Sequence, residues 1–479
     1  MGGLIAYGAY IPHHRLRRAE IGTVLRSGGG RGTRSVASYD EDTTSLGVEA
    51  ARTALSGLPS GHLPRQLLFA STAPAYTDKT NATAIHAALR LEQAAPASDL
   101  CGAVRSGFAA LTAAQDSPVP TLAVLSDIRG GLPSGVDERD GGDAAAAFLF
   151  SGHGENASGA PVIAEVLGRA SAVSEFLERW RLPGAASSRT WEERFGEQTY
   201  LPLADAAFAE ALKQADVTPD RIDHLIVAGT HTRAVRAAAA RTGVPREAWV
   251  DDLADTIGNP GTAQVGVVLA DVLDRARPGA VIAVLLLTDG VSVMVLRATD
   301  ALEERRSTYP VAEQIAAGDD ALPYASYLTW RGLLDREPPR RPDPEPPYAP
   351  PSFRTAAWKY ALVAGRCPSC GTRHLPPADV CRDCHHTGLM EPEPLADTPA
   401  TVATFTVDHL AHSPNPPTVM VVADFDGGGR LRCELTDAAP DSVGIGDRVE
   451  MTFRRTRTAG GIHNYFWKAR PARRAAVQG

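Results

Sequence analysis

Two rhythms of hydrophobic positions alternate along the first three hundred residues. Short, almost unbroken apolar runs such as Val281-Ile282-Ala283-Val284-Leu285-Leu286-Leu287 give way to stretches in which apolar residues recur every three or four positions. The first rhythm predicts strands buried on both faces, the second amphipathic helices. The expected order is strand 4–12, helix 43–55, strand 66–71, helix 80–91, a short strand at 98–100, helix 104–114, and strands 121–126 and 144–150. A second series follows: strand 161–167, helix 204–214, strand 223–227, helix 233–241, a strand near Trp249, helix 262–275, and strands 281–287 and 291–296. The order βαβαβαββ occurs twice, which predicts a duplicated α/β domain over residues 1–302.

The pattern then changes. A short helix over 324–334, carrying Tyr327, Trp330 and Leu334, is expected to dock one domain on another. The proline-rich stretch 338–347, running on to Pro350-Pro351, predicts an extended, semi-rigid connector within a 303–352 linker region. Further on, 401–407 alternates with period two. The runs 419–425 and 430–435 flank Asp426-Gly427-Gly428-Gly429, a hairpin signal, and 448–453 and 465–468 flank Ala459-Gly460-Gly461. Five short strands without helices predict a small β-barrel over 393–479.

Composition narrows the function classes. With 479 residues the chain can bury more than one core, and its formal charge of -8 argues against a general nucleic-acid binder. No basic-flanked apolar leader or membrane-length apolar run is present, so a cytoplasmic location is expected. In that compartment the cysteines point to metal rather than to disulfides. Cys367-x-x-Cys370 and Cys381-x-x-Cys384, ten residues apart, supply the four thiolates that tetrahedral Zn²⁺ takes, with iron in the same cage as the alternative. A closed four-cysteine site implies a structural zinc ribbon, over 353–392. Cys433 is expected to be a packing residue. The strip Arg454-Arg455-Thr456-Arg457, near His463, Tyr465, Phe466 and Trp467, reads as a solvated hairpin over an aromatic core. Single-stranded nucleic acid at such a barrel surface is the weaker alternative.

The first domain resembles the hydroxymethylglutaryl-CoA synthase branch of the thiolase superfamily, particularly its archaeal-type members. The resemblance rests on Tyr7-Gly8-Ala9-Tyr10-Ile11-Pro12, on Asp40-Glu41-Asp42-Thr43 leading into Val48-Glu49-Ala50-Ala51-Arg52, and on Pro74-Ala75-Tyr76-Thr77-Asp78-Lys79. Asp99-Leu100, Gly107-Phe108-Ala109-Ala110-Leu111 and Ile257-Gly258-Asn259 complete it. From residue 324 onward the chain is similar to a zinc-ribbon/OB-fold family associated with acyl-CoA enzymes, through Arg366-Cys367-Pro368-Ser369-Cys370-Gly371, the second cysteine pair and Phe405-Thr406-Val407. The resemblance implies coenzyme A thioesters as ligands, Arg455 and Arg457 as candidate contacts for coenzyme A, and assembly as a homodimer or a larger hetero-oligomer.

Claisen chemistry on thioesters uses a Cys nucleophile at a helix start, a His and a Glu for proton transfer, and an Asn or backbone donors for the developing oxyanion. Transferred without gaps, the family pattern puts Val104 in the nucleophile's place, Thr72 in that of the Glu and Ala228 in that of the His, leaving only Asn259. The resemblance then implies an auxiliary chain of a thiolase-type C-acyltransferase complex, with a separate thiolase subunit providing the reactive Cys. The alternative is a self-contained condensing enzyme in which Cys101 and His231, each three residues from the expected place, join Asn259.

Overall fold

The computed structural model describes residues 2–59, 61–154, 157–338, 340 and 345–473. In the first half of the duplicated domain the strand order is Ala97–Cys101 at the edge, then Gln66–Ser71, Thr121–Ile128, Asp143–Phe150 and Leu4–Tyr10. The first two pairings are parallel and the last two antiparallel. The second half repeats the plan with His224–Gly229, Val281–Leu287, Val291–Ala298 and Ala164–Ala172 in the same polarity. Where the first half has its edge strand, Trp249 makes only a parallel bridge to Leu225. The halves meet where Leu4 pairs with Ala164, so nine strands form one sheet.

Both faces of this sheet are covered, which is why its strands are apolar throughout. In Val281–Leu287, Ile282, Val284 and Leu286 face a central layer containing helices Ser106–Asp116 and Gln264–Arg275. Val281, Ala283, Leu285 and Leu287 face an outer layer made by Glu193–Ala215 and Thr232–Arg241. The first half has its outer layer in Thr43–Leu55 and Ala82–Ala88.

Several elements depart from the sequence expectation. Helix Glu193–Ala215 begins well before residue 204 and carries Pro202 in its interior. Proline ordinarily ends a helix, but burial of Gly196 and Tyr200 holds the turns before it. Pro350 and Pro351 lie in the first turn of helix Ala349–Arg354 rather than in an extended connector, because a first turn leaves its N–H groups unbonded in any case. Residues 339 and 341–344 of the connector fall outside the described residues. The docking helix ends at Trp330; Tyr327 is fully buried, and the Trp330 indole donates to the Pro414 carbonyl at 3.1 Å.

Ala400–Asp408, Thr418–Phe425, Arg430–Leu435, Ile462–Pro471 and Arg448–Ala459 close a five-stranded barrel. Of the expected solvated strip only Arg457 is exposed. Arg454 is completely buried, in ion contact with Glu41, Asp40 and Asp437, and donates to the Tyr10 hydroxyl at 3.2 Å. Lys468 bridges Asp40 at 2.7 Å and Glu434 at 2.8 Å, and Arg470 bridges Glu49 at 2.8 Å and Glu450 at 2.7 Å. Tyr465 donates to Asp42, whose carboxylate also caps helix Thr43–Leu55. That helix lies between sheet and barrel, so nearly all of its 13 residues are buried. An alternating strand normally turns its charges to solvent; here they turn to a second domain.

Burial pushes the Asp40 carboxyl up, but Lys468 and Arg454 overcome this and hold it at about 2. Glu49 is likewise driven down, by Arg470 and Arg52 against its burial. Both carboxylates therefore stabilise the docked barrel above the unfolded range near ~4, and the contribution is lost as pH falls through their folded values. The urea midpoint is expected to decline below about pH 4. Glu49→Gln, which takes one of two carboxylate partners from each of Arg470 and Arg52, is expected to cost about 1–3 kcal/mol at pH 7 and to flatten the acid decline.

Candidate active site and metal centre

Reactive groups on such sheets collect beyond the carboxyl ends of the strands. Val104 sits there, just before helix Ser106–Asp116. It is 8% exposed and belongs to one apolar cluster with Phe108, Ala228, Ile257 and Ala263. Its position is fixed by Gly107, where a Cβ would collide with the Thr262 carbonyl. Ala228 is 3% exposed. Both residues are thus packed among hydrocarbon.

Thr72 ends the second strand under a set of polar contacts. Its hydroxyl donates to Asp127 at 2.8 Å and accepts from Arg129 at 2.9 Å, while Arg181 donates to its carbonyl at 3.0 Å. Asp127 is fully buried and also receives the Thr72 and Thr262 N–H groups, each at 2.9 Å, and the Ser71 hydroxyl at 3.3 Å. These donors tie two strand ends to the turn before helix Gln264–Arg275. Burial lowers the Arg129 guanidinium, which Asp127 partly offsets and Arg179 and Arg181 reinforce. The sequence reading did not single out Asp127, because it ended that strand at residue 126; the strand runs to Ile128 and carries the carboxylate into the core. An acidic residue closing a buried parallel strand was the available signal.

Asn259 is engaged at both ends of its amide, donating to the Gly229 carbonyl and accepting from Gly261 N–H, each at 2.9 Å. His231 caps helix Thr232–Arg241. Its Nδ1 accepts from Ala234 N–H at 3.0 Å and its Nε2–H donates to the Glu193 carbonyl at 2.9 Å. A carbonyl only accepts and an amide N–H only donates, so the ring is the neutral Nε2–H tautomer with both nitrogens occupied. Cys101 ends the exposed edge strand, paired with Ser71, and its thiol is pushed up to about 11 by burial and by the Asp99 carboxylate. A thiol held that high is not poised as a nucleophile at neutral pH. Next to Val104, Arg105 donates to the Thr288 and Asp289 carbonyls at 3.1 and 3.2 Å, tying the helix start to the turn between strands Val281–Leu287 and Val291–Ala298.

In the barrel, the Arg455 guanidinium donates to the Tyr39 carbonyl at 3.0 Å, whereas Arg457 is exposed. Tyr465 and Trp467 are buried and Phe466 lies against Trp358 at 5.2 Å. A base-stacking surface needs exposed rings, and these three are engaged internally. His463 donates its N–H to the Tyr76 hydroxyl at 2.7 Å, so the barrel hairpin grips the loop that follows Thr72.

The four cysteine sulfurs all lie within 4.8 Å of one another, with Cys370–Cys381 at 3.5 Å and Cys367–Cys384 at 3.6 Å. A tetrahedron with Zn–S bonds of ~2.3 Å has edges of about 3.8 Å, so the cage fits zinc. The two knuckles are built alike. Gly371 and His385 follow their second cysteines at positive φ and donate N–H to the carbonyls of Cys367 and Cys381.

Three outcomes are expected for the metal. Purified protein contains one zinc per chain by elemental analysis, and a strong chelator removes it with loss of amide protection confined first to 363–394. Cys381→Ser, at a buried corner of the cage, abolishes metal retention.

Comparison with known proteins agrees with this architecture. Residues 354–389 match the profile of the "ChsH2, rubredoxin-like zinc ribbon domain" and 393–454 that of the "ChsH2, C-terminal OB-fold domain". Residues 212–296 match the "3-Oxoacyl-[acyl-carrier-protein (ACP)] synthase III C terminal" family. Hydroxymethylglutaryl-CoA synthase of Pyrococcus horikoshii is 28% identical over 342 residues, covering 69% of this chain and 95% of the relative. That of Methanothermobacter thermautotrophicus is 26% identical over 351 residues, covering 70% and 99%. Among solved structures, the HMG-CoA synthase PksG of Bacillus subtilis superposes with a TM-score of 0.58 at 19% identity, over 69% of this chain and 89% of that one. An HMG-CoA synthase complexed with CoA gives 0.57 at 17%, over 68% and 89%. The first domain is thus HMG-CoA synthase-like, and it is followed by a zinc ribbon and an OB-fold that match the ChsH2 type.

Proposed function

We propose that this chain is the auxiliary subunit of a thiolase-type C-acyltransferase or condensing complex, acting on acyl-CoA or a related thioester while a separate thiolase supplies the nucleophile. The observation that carries the reading is Val104, buried with Ala228 in a continuous apolar cluster where the family chemistry requires sulfur and imidazole. The surrounding polar groups support it. Thr72, Asp127, Asn259 and His231 spend their hydrogen bonds on one another or on backbone, which suits a scaffold rather than a proton relay. The Cys101–His231–Asn259 alternative asks for a thiolate where burial and Asp99 favour the thiol, and for a base whose ring is already a helix cap.

A coenzyme A thioester is the proposed ligand, in line with the CoA complex of one structural neighbour and the acetyl-donor carrier-protein complex of another. Its phosphates are proposed to meet Arg457 at the barrel edge, where Lys359 is close enough for the two cations to repel; Arg455 serves the docking. Zn²⁺ is proposed as a structural ion holding the ribbon. The assembly is proposed to be a cytoplasmic homodimer or larger hetero-oligomer, and no helix among the described residues is long and apolar enough to cross a membrane.

The purified chain alone is expected to give no condensation and no acyl adduct after incubation with acetyl-CoA, read by intact-protein mass spectrometry. Native purification is expected to bring down a thiolase, and the complex to keep its activity when Cys101 is replaced by Ala. An acyl adduct on Cys101, or turnover by the isolated chain that Cys101→Ala abolishes, overturns the reading. Arg457→Ala is expected to weaken acyl-CoA binding about tenfold by titration calorimetry, the loss of ~1.4 kcal/mol that one exposed phosphate contact supplies.

A further inference from the structure

Strand Ala164–Ala172 and helix Glu193–Ala215 belong to the second half of the duplicated domain, yet the strap between them, residues 173–192, reaches across to the first. Its apolar residues Leu177, Leu182 and Trp191 are exposed, so polar contacts tether it. Asp137 accepts from the Arg179 guanidinium on one oxygen and from the Ser188 N–H, at 2.7 Å, on the other. Arg181 donates to the Thr72 carbonyl at 3.0 Å.

These tethers bring the strap's arginines to Arg129, which follows strand Thr121–Ile128 and whose side chain is only 10% exposed. Its Nη1 donates to the Thr72 hydroxyl at 2.9 Å. Two guanidinium groups therefore converge on one threonine, and Arg179 is near enough to act on Arg129 as a third positive charge.

The acids in reach do not balance them. Asp127, 4.0 Å from Arg129, is sealed from solvent and already takes four donor groups. Asp137 is committed to Arg179 and Ser188. Glu178, the neighbouring carboxylate on the strap, faces Tyr200 and His231. Among the described residues Arg181 meets no carboxylate, its bond being to a carbonyl, and Nε and Nη2 of Arg129 carry no hydrogen bond. Arg129, Arg179 and Arg181 against Asp127 and Asp137 leave one positive charge in a partly buried place, where a charge ordinarily has a counter-ion.

We propose that Arg129 and Arg181 bind the carboxylate of a small organic acid beside Thr72. A monoanion cancels the surplus charge, whereas a dianion replaces it by one of opposite sign. The planar guanidinium forks match a carboxylate in shape as well. The site goes beyond the proposed function, since it requires neither coenzyme A nor a thiolase.

Calorimetric titration of the full chain with butanoate, its neutral isostere butanamide and the dianion sulfate, at constant ionic strength, tests it. Butanoate is expected to bind saturably in the millimolar range, at least about fivefold tighter than either of the others. Arg181→Gln, on the partly exposed strap, should weaken butanoate about tenfold. Arg181→Lys, which keeps the charge but loses the fork, should weaken it about threefold. A smaller preference for butanoate, or no saturable binding of it, would overturn the proposal. So would Arg181→Gln protein that binds as before, or Arg181→Lys protein that binds no better than Arg181→Gln.

Discussion

A carboxylate leaves water only if a cation and hydrogen bonds replace its hydration, and the architecture of this chain depends on that constraint. Asp40, Glu41 and Glu49 lie on the first-half surface with almost no solvent contact, and the cations that neutralise them, Arg454, Lys468 and Arg470, stand on two barrel strands. Among the described residues Asp40 and Glu41 meet their cations only across this joint. The pairing also dictates orientation, since hydrocarbon would tolerate the barrel at many angles whereas a fork such as Arg470 between Glu49 and Glu450 tolerates few. Through Asp42 and Tyr465 the docking reaches the cap of the first long helix, and through His463 and Tyr76 it reaches the loop beyond Thr72.

The same economy of polar groups describes the strand ends around Thr72 and Asn259. A working general base keeps a lone pair or a proton in reserve. Here the fully buried Asp127 takes four donor groups, Asn259 joins Gly229 to Gly261, and the His231 ring holds two helices together. With Val104 and Ala228 buried in the apolar cluster beside them, these polar groups set the distance between strand ends and helix starts.

Much of this was legible in the sequence. The duplicated strand order follows from apolar runs such as Val281–Leu287, because burial on both faces leaves no room for polar residues, and the zinc cage follows from cysteine spacing alone. What local pattern misjudged has a common cause. Arg454 reads as a surface residue because charge implies water, and only a partner four hundred positions away makes its burial tolerable. Asp127 reads as the stop after a strand, although donors from the turn at Thr262 let the strand continue through it. Pro202 reads as a helix boundary, although Tyr200 is anchored from outside the helix by Phe176 and Glu178. In each case the deciding contact is long in sequence, and a window of a dozen residues does not contain it.

The ionic face between barrel and synthase-like domain also bears on why the two share one chain. Two freely diffusing proteins meeting through such a face would have to strip water from many charges at each encounter, a penalty that grows with every ion. A covalent joint replaces that bimolecular search by a local concentration on the order of millimolar, set by tether length rather than by expression level. Fusion therefore keeps a highly directional joint in register. It would also let the joint reopen without losing its partner, as separately encoded subunits could not.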